Sequence, residues 1–518
     1  MDMCLRHNFP RSSGVLLPVS MLHSPFGIGV IGAEAVEFID FLSASGFHAW
    51  QILPLEHTGI SFSPYKCVSA FAGEPMLIDP RMLLEMGLAT PDDLTERAEG
   101  VSVDYVDYNV VRAKQLTLLR VAFSRLNDKP YSRFKPFWLD NYALYMAIKH
   151  RFGDIPWYDW PDEELRSHSL PAIRRAKEEL SDEIAFNKFV QWLFHEQWAR
   201  LKEYATRRGV SIIGDMPIYV AEDSAEVWSR RNLFDMDADG SFLAIGGVPP
   251  DYFNPDGQLW GNPVYNWSRM RKDGYKWWVS RVKAALERYD IIRLDHFRGF
   301  ESYWRVPADA DSAKEGKWTK GPGMSLFKAL EEELGHLPLI AEDLGDITDD
   351  VKTLLKDSGF RGMRVMQFGF LGDESHLPHN FNKYSIAYTG THDNTTMLAW
   401  MFELTPEVRE QALSYLGFEG DWSVGGPNCA INKAWIRLLF TSTASLAIVP
   451  IQDMLGYGSD ARTNIPGKPD GNWRFRIRGE ALREIDAGFY AALNKTYRRD
   501  NSAAMDDNKL VLHNTMEE

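Results

Sequence analysis

The run Ile291-Ile292-Arg293-Leu294-Asp295-His296 sets a guanidinium and a carboxylate two residues apart in an apolar stretch. On a strand, positions two apart face the same side, so Arg293 and Asp295 would point together into whatever that strand lines. A neighbouring guanidinium favours the ionised carboxylate, which is the form a nucleophile needs. A buried ion pair that only braces the fold has the same sequence, and this segment alone does not separate the two. Two further carboxylates end apolar runs later in the chain: Glu342 closes LPLIAE and Asp393 closes SIAYTGTHD. A carboxyl at an apolar exit holds its proton more tightly and suits a general acid. Retaining glycosyl transfer needs one carboxylate to attack the anomeric carbon and one carboxyl to protonate the leaving oxygen. A third can hold sugar hydroxyls and the oxocarbenium-like charge. Three acidic groups delivered by separate strands to one rim meet that requirement.

The elements that must position them recur along the chain. Apolar runs that turn polar at their C-terminal ends lie at Gly14–Met21, Ala49–Leu55, Val210–Tyr219, Asp290–Phe297, Leu337–Leu344, Met363–Phe368, Ser385–Thr391 and Ser445–Asp453. Amphipathic helical patterns separate several of them, at Ala33–Ala44, Trp277–Glu287, Ser325–Leu334 and Pro406–Leu416. Apolar strands alternating with helices imply buried parallel strands, and eight such units predict a (β/α)8 barrel with its site at the strands' C-terminal ends. An open doubly wound sheet with a second domain is the alternative. Residues 80–205 read as a helical insertion and 229–276 as a Gly/Pro/aromatic loop, both walling a cleft within a single catalytic domain spanning 1–518. A polar tail, 501–518, is expected to fray.

Bulk properties narrow the partners. A net charge of −15 without a basic run excludes nucleic acid and anionic membrane as natural ligands. The 17 tryptophans suit a carbohydrate binder, because aromatic faces stack on sugar rings, although large cores also consume tryptophan. Cys4, Cys67 and Cys429 are odd in number and scattered, which points to reduced thiols and no structural zinc. With no signal-like N-terminus and no long apolar segment, a cytoplasmic location is expected. No metal and no cofactor is expected, since both displacements need only carboxyl groups.

The chain resembles the 4-α-glucanotransferases, also called amylomaltases or disproportionating enzymes. The resemblance runs through RSSGVLLPVSML, SPFGIG, WQILPL, SPYKCVSAFAG, GDMPIYV and GVPPDYFNPDGQLWGNPVYNW, then RLDHFRG, AEDLG, GTHDN, PIQDMLG and GNWRFR, in the family's order. It implies transfer of an α-1,4-glucan segment to the 4-hydroxyl of a glucose or maltodextrin acceptor. It implies Asp295 as nucleophile, Glu342 as acid/base and Asp393 as transition-state stabiliser. Arg293, His392, Tyr65 and Asp215 match positions lining the cleavage site, Gln258 and Trp260 a loop covering bound glucan, and Asn464 a sugar-contacting Asn. Two departures stand out: Glu74 where the family pattern has Asn, and RTNIPGK at 462–468 where it has RMNxPGT.

Three other readings are open to the same residues. An α-glucan hydrolase would use the same carboxylates, and a non-catalytic glucan-binding protein the same aromatics. Gly27-Ile28-Gly29-Val30-Ile31-Gly32, with Glu56 further on, also matches a dinucleotide fingerprint, though His23–Phe26 separates it from the preceding strand. His296 and His392, each beside a carboxylate, read as sugar-hydroxyl donors rather than metal ligands.

Overall fold

The computed structural model describes residues 10–98, 101–237, 239–250 and 255–500. The tail expected to fray, Cys4 and positions 251–254 of the aromatic insertion lie outside them. Eight parallel strands form the central sheet: β1 (Ser12–Leu16), β2 (Ala49–Gln51), β3 (Ser211–Met216), β4 (Ile291–Leu294), β5 (Leu339–Ala341), β6 (Gly362–Val365), β7 (Ser385–Tyr388) and β8 (Leu446–Pro450). Each but β5 pairs with the next in sequence, and β8 pairs back onto β1 with Ser12 opposite Leu446. Between β5 and β6 a single isolated bridge spans the gap, the Ala341 amide donating to the carbonyl of Arg361, just before β6, at 2.9 Å. The closed barrel follows, and the open doubly wound alternative is excluded.

All eight expected strands are present, and each ends earlier than its apolar run. The residues past the strand ends, such as Leu53–Leu55 and Ile218–Tyr219, are buried under loops rather than in the ladder. Inside the barrel, Leu16, Ile213, Ile340, Met363, Val365, Ile386, Tyr388 and Ile448 interlock as one apolar plug. The Tyr388 hydroxyl there donates to Gln51 Oε1 at 2.9 Å, and leaving such a buried group unpaired would cost about 1–3 kcal/mol. The outer faces of the strands pack on the surrounding helices in a second, larger core.

Local chemistry explains the helices. Ala33–Ala44 buries Ala35, Phe38, Ile39 and Leu42, the spacing of one helix face. Pro406–Leu416 begins with the Thr405 side chain accepting from the Val408 amide and Pro406 in the first turn, and stops at Gly417, whose φ of 65° favours glycine. The insertion at 80–205 is helical as expected, and its long helix Ser181–Arg207 sets Phe189, Leu193, Phe194 and Trp198 into the same core as the barrel's outer face. The segment 229–276 corrects the sequence expectation. Part of it is a sheet, in which Ala244–Val248 pairs antiparallel with Gln258–Pro263 and with Ser302–Pro307, and Lys317–Lys320 completes the four strands. Its Gly/Pro content masked the strands, whose partners lie partly outside the segment.

Candidate active site

The inward-facing rows of the barrel continue past the strand ends into charged groups. On β3 the row runs Ile213, Asp215; on β4 it runs Arg293, then Asp295; on β5 it runs Ile340, then Glu342. The ladder extends with them: the Asp295 amide donates to Met216 O at 3.0 Å and the Glu342 amide to Leu294 O at 3.0 Å. Barrel hydrogen bonds, not flexible loops, therefore hold the backbone of both carboxylates.

Arg293 organises the charge. Its Nη1 reaches both carboxylate oxygens of Asp215, at 2.8 and 2.7 Å, and Oδ1 of Asp295 at 3.0 Å. Arg293 and Asp215 side chains are 3% and 0% exposed, whereas Asp295 is 26% exposed. Glu342, like Asp295, is half-buried. Burial pushes its carboxyl up from 4.5 to about 8, with Arg293 opposing and Asp295 adding to the rise. Its oxygens accept from the amides of His296 at 2.8 Å and Leu344 at 2.9 Å, which fix its aim. Two half-buried carboxyls one strand apart thus differ in their surroundings: one is paired with a cation, and the other is pushed up to about 8.

His296 makes this possible. It adopts a left-handed φ of 51°, a conformation costing a non-glycine residue on the order of 1–3 kcal/mol. Its amide donates to Glu342 Oε2 at 2.8 Å. Its ring meets the Trp260 indole edge-on at 4.8 Å, and burial pushes its pKa down to about 4, with Asp295 opposing, so the imidazole is neutral at pH 7. The backbone of His296 thus has a role, as donor to Glu342, that spacing could not reveal.

The opposite wall comes from β7 and the chain after β8. The Tyr65 hydroxyl donates to Asp215 Oδ2 at 2.8 Å and lies 2.9 Å from His392 Nε2, which is 3.3 Å from Asp393 Oδ2. Asn464 Nδ2 donates to Asp393 Oδ1 at 2.6 Å. A cleft of about 590 Å³ is lined by Tyr65, Gln258, Trp260, Asp295, His392, Asp393 and Asn464. Of the remaining expected residues, Arg293 and Asp215 lie directly behind Asp295, and Glu342 joins through His296. The structure thus gathers the ten expected side chains in one region, seven lining the cleft and three behind it. Gln258 and Trp260 reach it from the edge strand of the small sheet, with Trp260 Nε1 donating to Gln258 Oε1 at 3.2 Å.

The sequence reading left out Trp473. It lines the cleft at a φ of 67°, with its ring 5.7 Å from that of Tyr65 and 6.0 Å from that of His392. Its place in the motif GNWRFR was the one available signal. The glycine fingerprint resolves as packing. A Cβ on Gly29 would fall 1.9 Å from the carbonyl of Val19, and one on Gly32 would fall 1.7 Å from Asp79 Oδ2. A carboxylate thus stands at the helix N-terminus where a dinucleotide would need its pyrophosphate.

Comparison with known proteins agrees with this geometry. A family model described as 4-alpha-glucanotransferase matches residues 17–482. The chain is 42% identical to the 4-alpha-glucanotransferase of Thermus thermophilus over 505 residues, covering 94% of this chain and 99% of that one. It is 44% identical to that of Aquifex aeolicus over 475 residues, covering 90% and 96%. The chain belongs to the 4-alpha-glucanotransferase family. Among solved structures, the amylomaltase from Streptococcus agalactiae in complex with acarbose superposes with a TM-score of 0.90 at 38% identity, covering 94% of this chain and 99% of that chain.

The departures from the family pattern take structural roles in this glucanotransferase. Glu74 accepts from the Thr58 amide and hydroxyl at 2.8 and 2.7 Å and from the Met76 amide at 3.1 Å, so it ties loops together behind the cleft. The altered 462–468 segment still delivers Asn464 to Asp393. Among the described residues, no helix is long and apolar enough to cross a membrane.

Proposed function

We propose that the transferase works by double displacement, with Asp295 as nucleophile, Glu342 as acid/base and Asp393 as transition-state stabiliser. Protonated Glu342 delivers its proton to the glycosidic oxygen of an α-1,4-glucan while Asp295 attacks the anomeric carbon. The chain beyond the scissile bond leaves with that proton. Glu342, now a carboxylate, takes the proton from the 4-hydroxyl of an acceptor glucose or maltodextrin, whose oxygen displaces Asp295 and restores the α-linkage. Arg293 holds Asp295 and Asp215 in place. His392, Tyr65 and Asn464 present polar atoms to the sugar, and Gln258, Trp260 and Trp473 offer the faces on which glucose rings stack. The observation that carries this reading is that Asp295 is paired with Arg293 while half-buried Glu342, held by two backbone amides, is pushed up to about 8. One catalytic domain acting without metal or cofactor, in the cytoplasm, completes the proposal. Cys67 and Cys429 are both free thiols, which fits a reducing compartment.

Purified maltotriose tests the reading. Transfer conserves glycosidic bonds, so products longer than maltotriose should appear with glucose while total reducing ends stay nearly constant. Water is at ~55 M, but an acceptor held in attack geometry competes at an effective molarity of ~10⁵ M or more. Reducing ends that rise in step with substrate loss would instead identify a hydrolase using the same carboxylates.

A further inference from the structure

The loop that carries His392 and Asp393 runs from Thr389, just after β7, to Met397, the first residue of the helix Met397–Glu403. Both ends of that loop attach to one side chain. Thr389 Oγ1 donates to Asp453 Oδ2 at 2.6 Å, and the Met397 amide donates to Asp453 Oδ1 at 2.7 Å. The second bond satisfies an amide that the helix itself leaves unpaired in its first turn. Asp453 is 2% exposed and lies in the helix Ile451–Leu455 directly after β8, where Asn432 Nδ2 donates to its carbonyl at 2.9 Å.

The residue before it anchors the facing loop. Gln452 Nε2 donates to Ala461 O at 3.1 Å and to Thr463 Oγ1 at 2.9 Å, next to Asn464. Three bonds then join the two loops at the cleft: Asn464 Nδ2 to Asp393 Oδ1 at 2.6 Å, the Asn464 amide to His392 O at 3.1 Å, and Arg462 Nη2 to Asp393 O at 2.8 Å. Asp393 is 43% exposed and has little packing of its own to fix it. Its position depends on where these two loops stand relative to each other, and adjacent buried side chains hold both loops.

We infer that Gln452 and Asp453 are positioning residues for the transfer reaction, setting the register between the two loops that meet at Asp393 and Asn464. This rests on the proposed role of Asp393. The dipeptide touches no substrate, and its effect passes through Asp393. The requirement is geometric: an asparagine at 453 can still accept from Met397 with its oxygen and donate to Thr389 with its nitrogen.

The test measures kcat, KM and melting temperature for Asp453→Ala, Asp453→Asn, Asn464→Ala and the Asp453→Ala/Asn464→Ala double variant, with Asp393→Asn as reference. Releasing the loop should lower kcat of Asp453→Ala by about 10²-fold, the usual consequence of a misplacement near 1 Å, with KM changed only a few-fold. Asp453→Asn should restore kcat to within about 3-fold of wild type, because both bonds survive. In the Asn464→Ala background, Asp453→Ala should cost far less than in wild type, as expected for residues acting through one contact. Independent effects that multiply, a wild-type kcat in folded Asp453→Ala, or an Asp453→Asn as slow as the alanine variant would each overturn the inference. If Asp453→Ala does not fold, Thr389→Val removes one tether, and the same coupling to Asn464→Ala decides. An inactive Asp393→Asn beside multiplicative Asp453 effects would remove this inference alone. A fully active Asp393→Asn would remove the role of Asp393 and this inference with it.

Discussion

The clearest consequence of the site is that Glu342, the proposed acid, should destabilise the fold as pH rises. Glu342 titrates at about 8 in the folded chain against 4.5 when solvated. Between those values the folded state keeps a proton that the unfolded state has lost, so stability falls with rising pH across that window and is fullest below it. Replacing Glu342 with Gln removes the titration. Relative to wild type, Glu342→Gln should therefore gain stability between about pH 4 and about pH 9 on the order of 5 kcal/mol, at ~1.4 kcal/mol per pH unit. The amide also sets an NH2 group against one of the two amides that Glu342 accepts from, costing about 1–3 kcal/mol at every pH, which cancels in the difference. An unfolding entropy near 2 cal/mol/K per residue over 518 residues makes 1 kcal/mol worth about 1 °C in Tm. Scanning calorimetry should thus show the gap between variant and wild-type Tm widening by about 4–5 °C from acid to alkaline pH, while transfer activity is lost. A gap that stays constant with pH would mean that Glu342 is ionised in the folded enzyme, and the acid assignment would go with it.

In the wild type, kcat/KM should fall on the alkaline side with an apparent pKa near 8, and a profile flat to pH 10 would contradict that. Arg293→Ala leaves Asp215 buried without its cation, so thermal melts should show a loss of about 3–5 kcal/mol together with a drop in turnover. Arg293→Lys should recover only part of both, because one ammonium cannot reproduce the guanidinium's planar fork of donors. Asp393→Asn should cut kcat by about 10²–10³-fold at nearly unchanged KM, and a KM effect alone would make it a ground-state sugar contact. Trp260→Ala should raise the ratio of hydrolysis to transfer on maltotriose, read as growth in reducing ends; an unchanged ratio would show that water is kept out by other groups.

Much of this enzyme is written locally. Apolar runs of β-formers separated by amphipathic helices determine buried parallel strands covered by helices on both faces, and eight such units favour a barrel over an open sheet. The alternation along each run puts Arg293 and Asp295 on one side, and burial at a strand's end predisposes Glu342 to hold its proton. These properties depend on near neighbours, and they survive in a single string of residues. Family motifs extended the list to Tyr65, Asp215, His392, Gln258, Trp260 and Asn464 without saying what any of them touches.

What remained depends on groups distant in sequence. Strand ends were overextended because Leu53–Leu55 and Ile218–Tyr219 are as apolar as strand residues, and only the overlying loops show that they leave the ladder. The strands in 229–276 escaped notice because two of the four strands in their sheet, Ser302–Pro307 and Lys317–Lys320, come later in the chain. The His296 amide meets Glu342, 46 residues on, and Asp393 meets Asn464, 71 residues on. Residue types and spacings determine which groups can do the chemistry. The closed barrel decides which of them meet, because hydrogen bonds and burial act over a few ångströms of space regardless of separation along the chain.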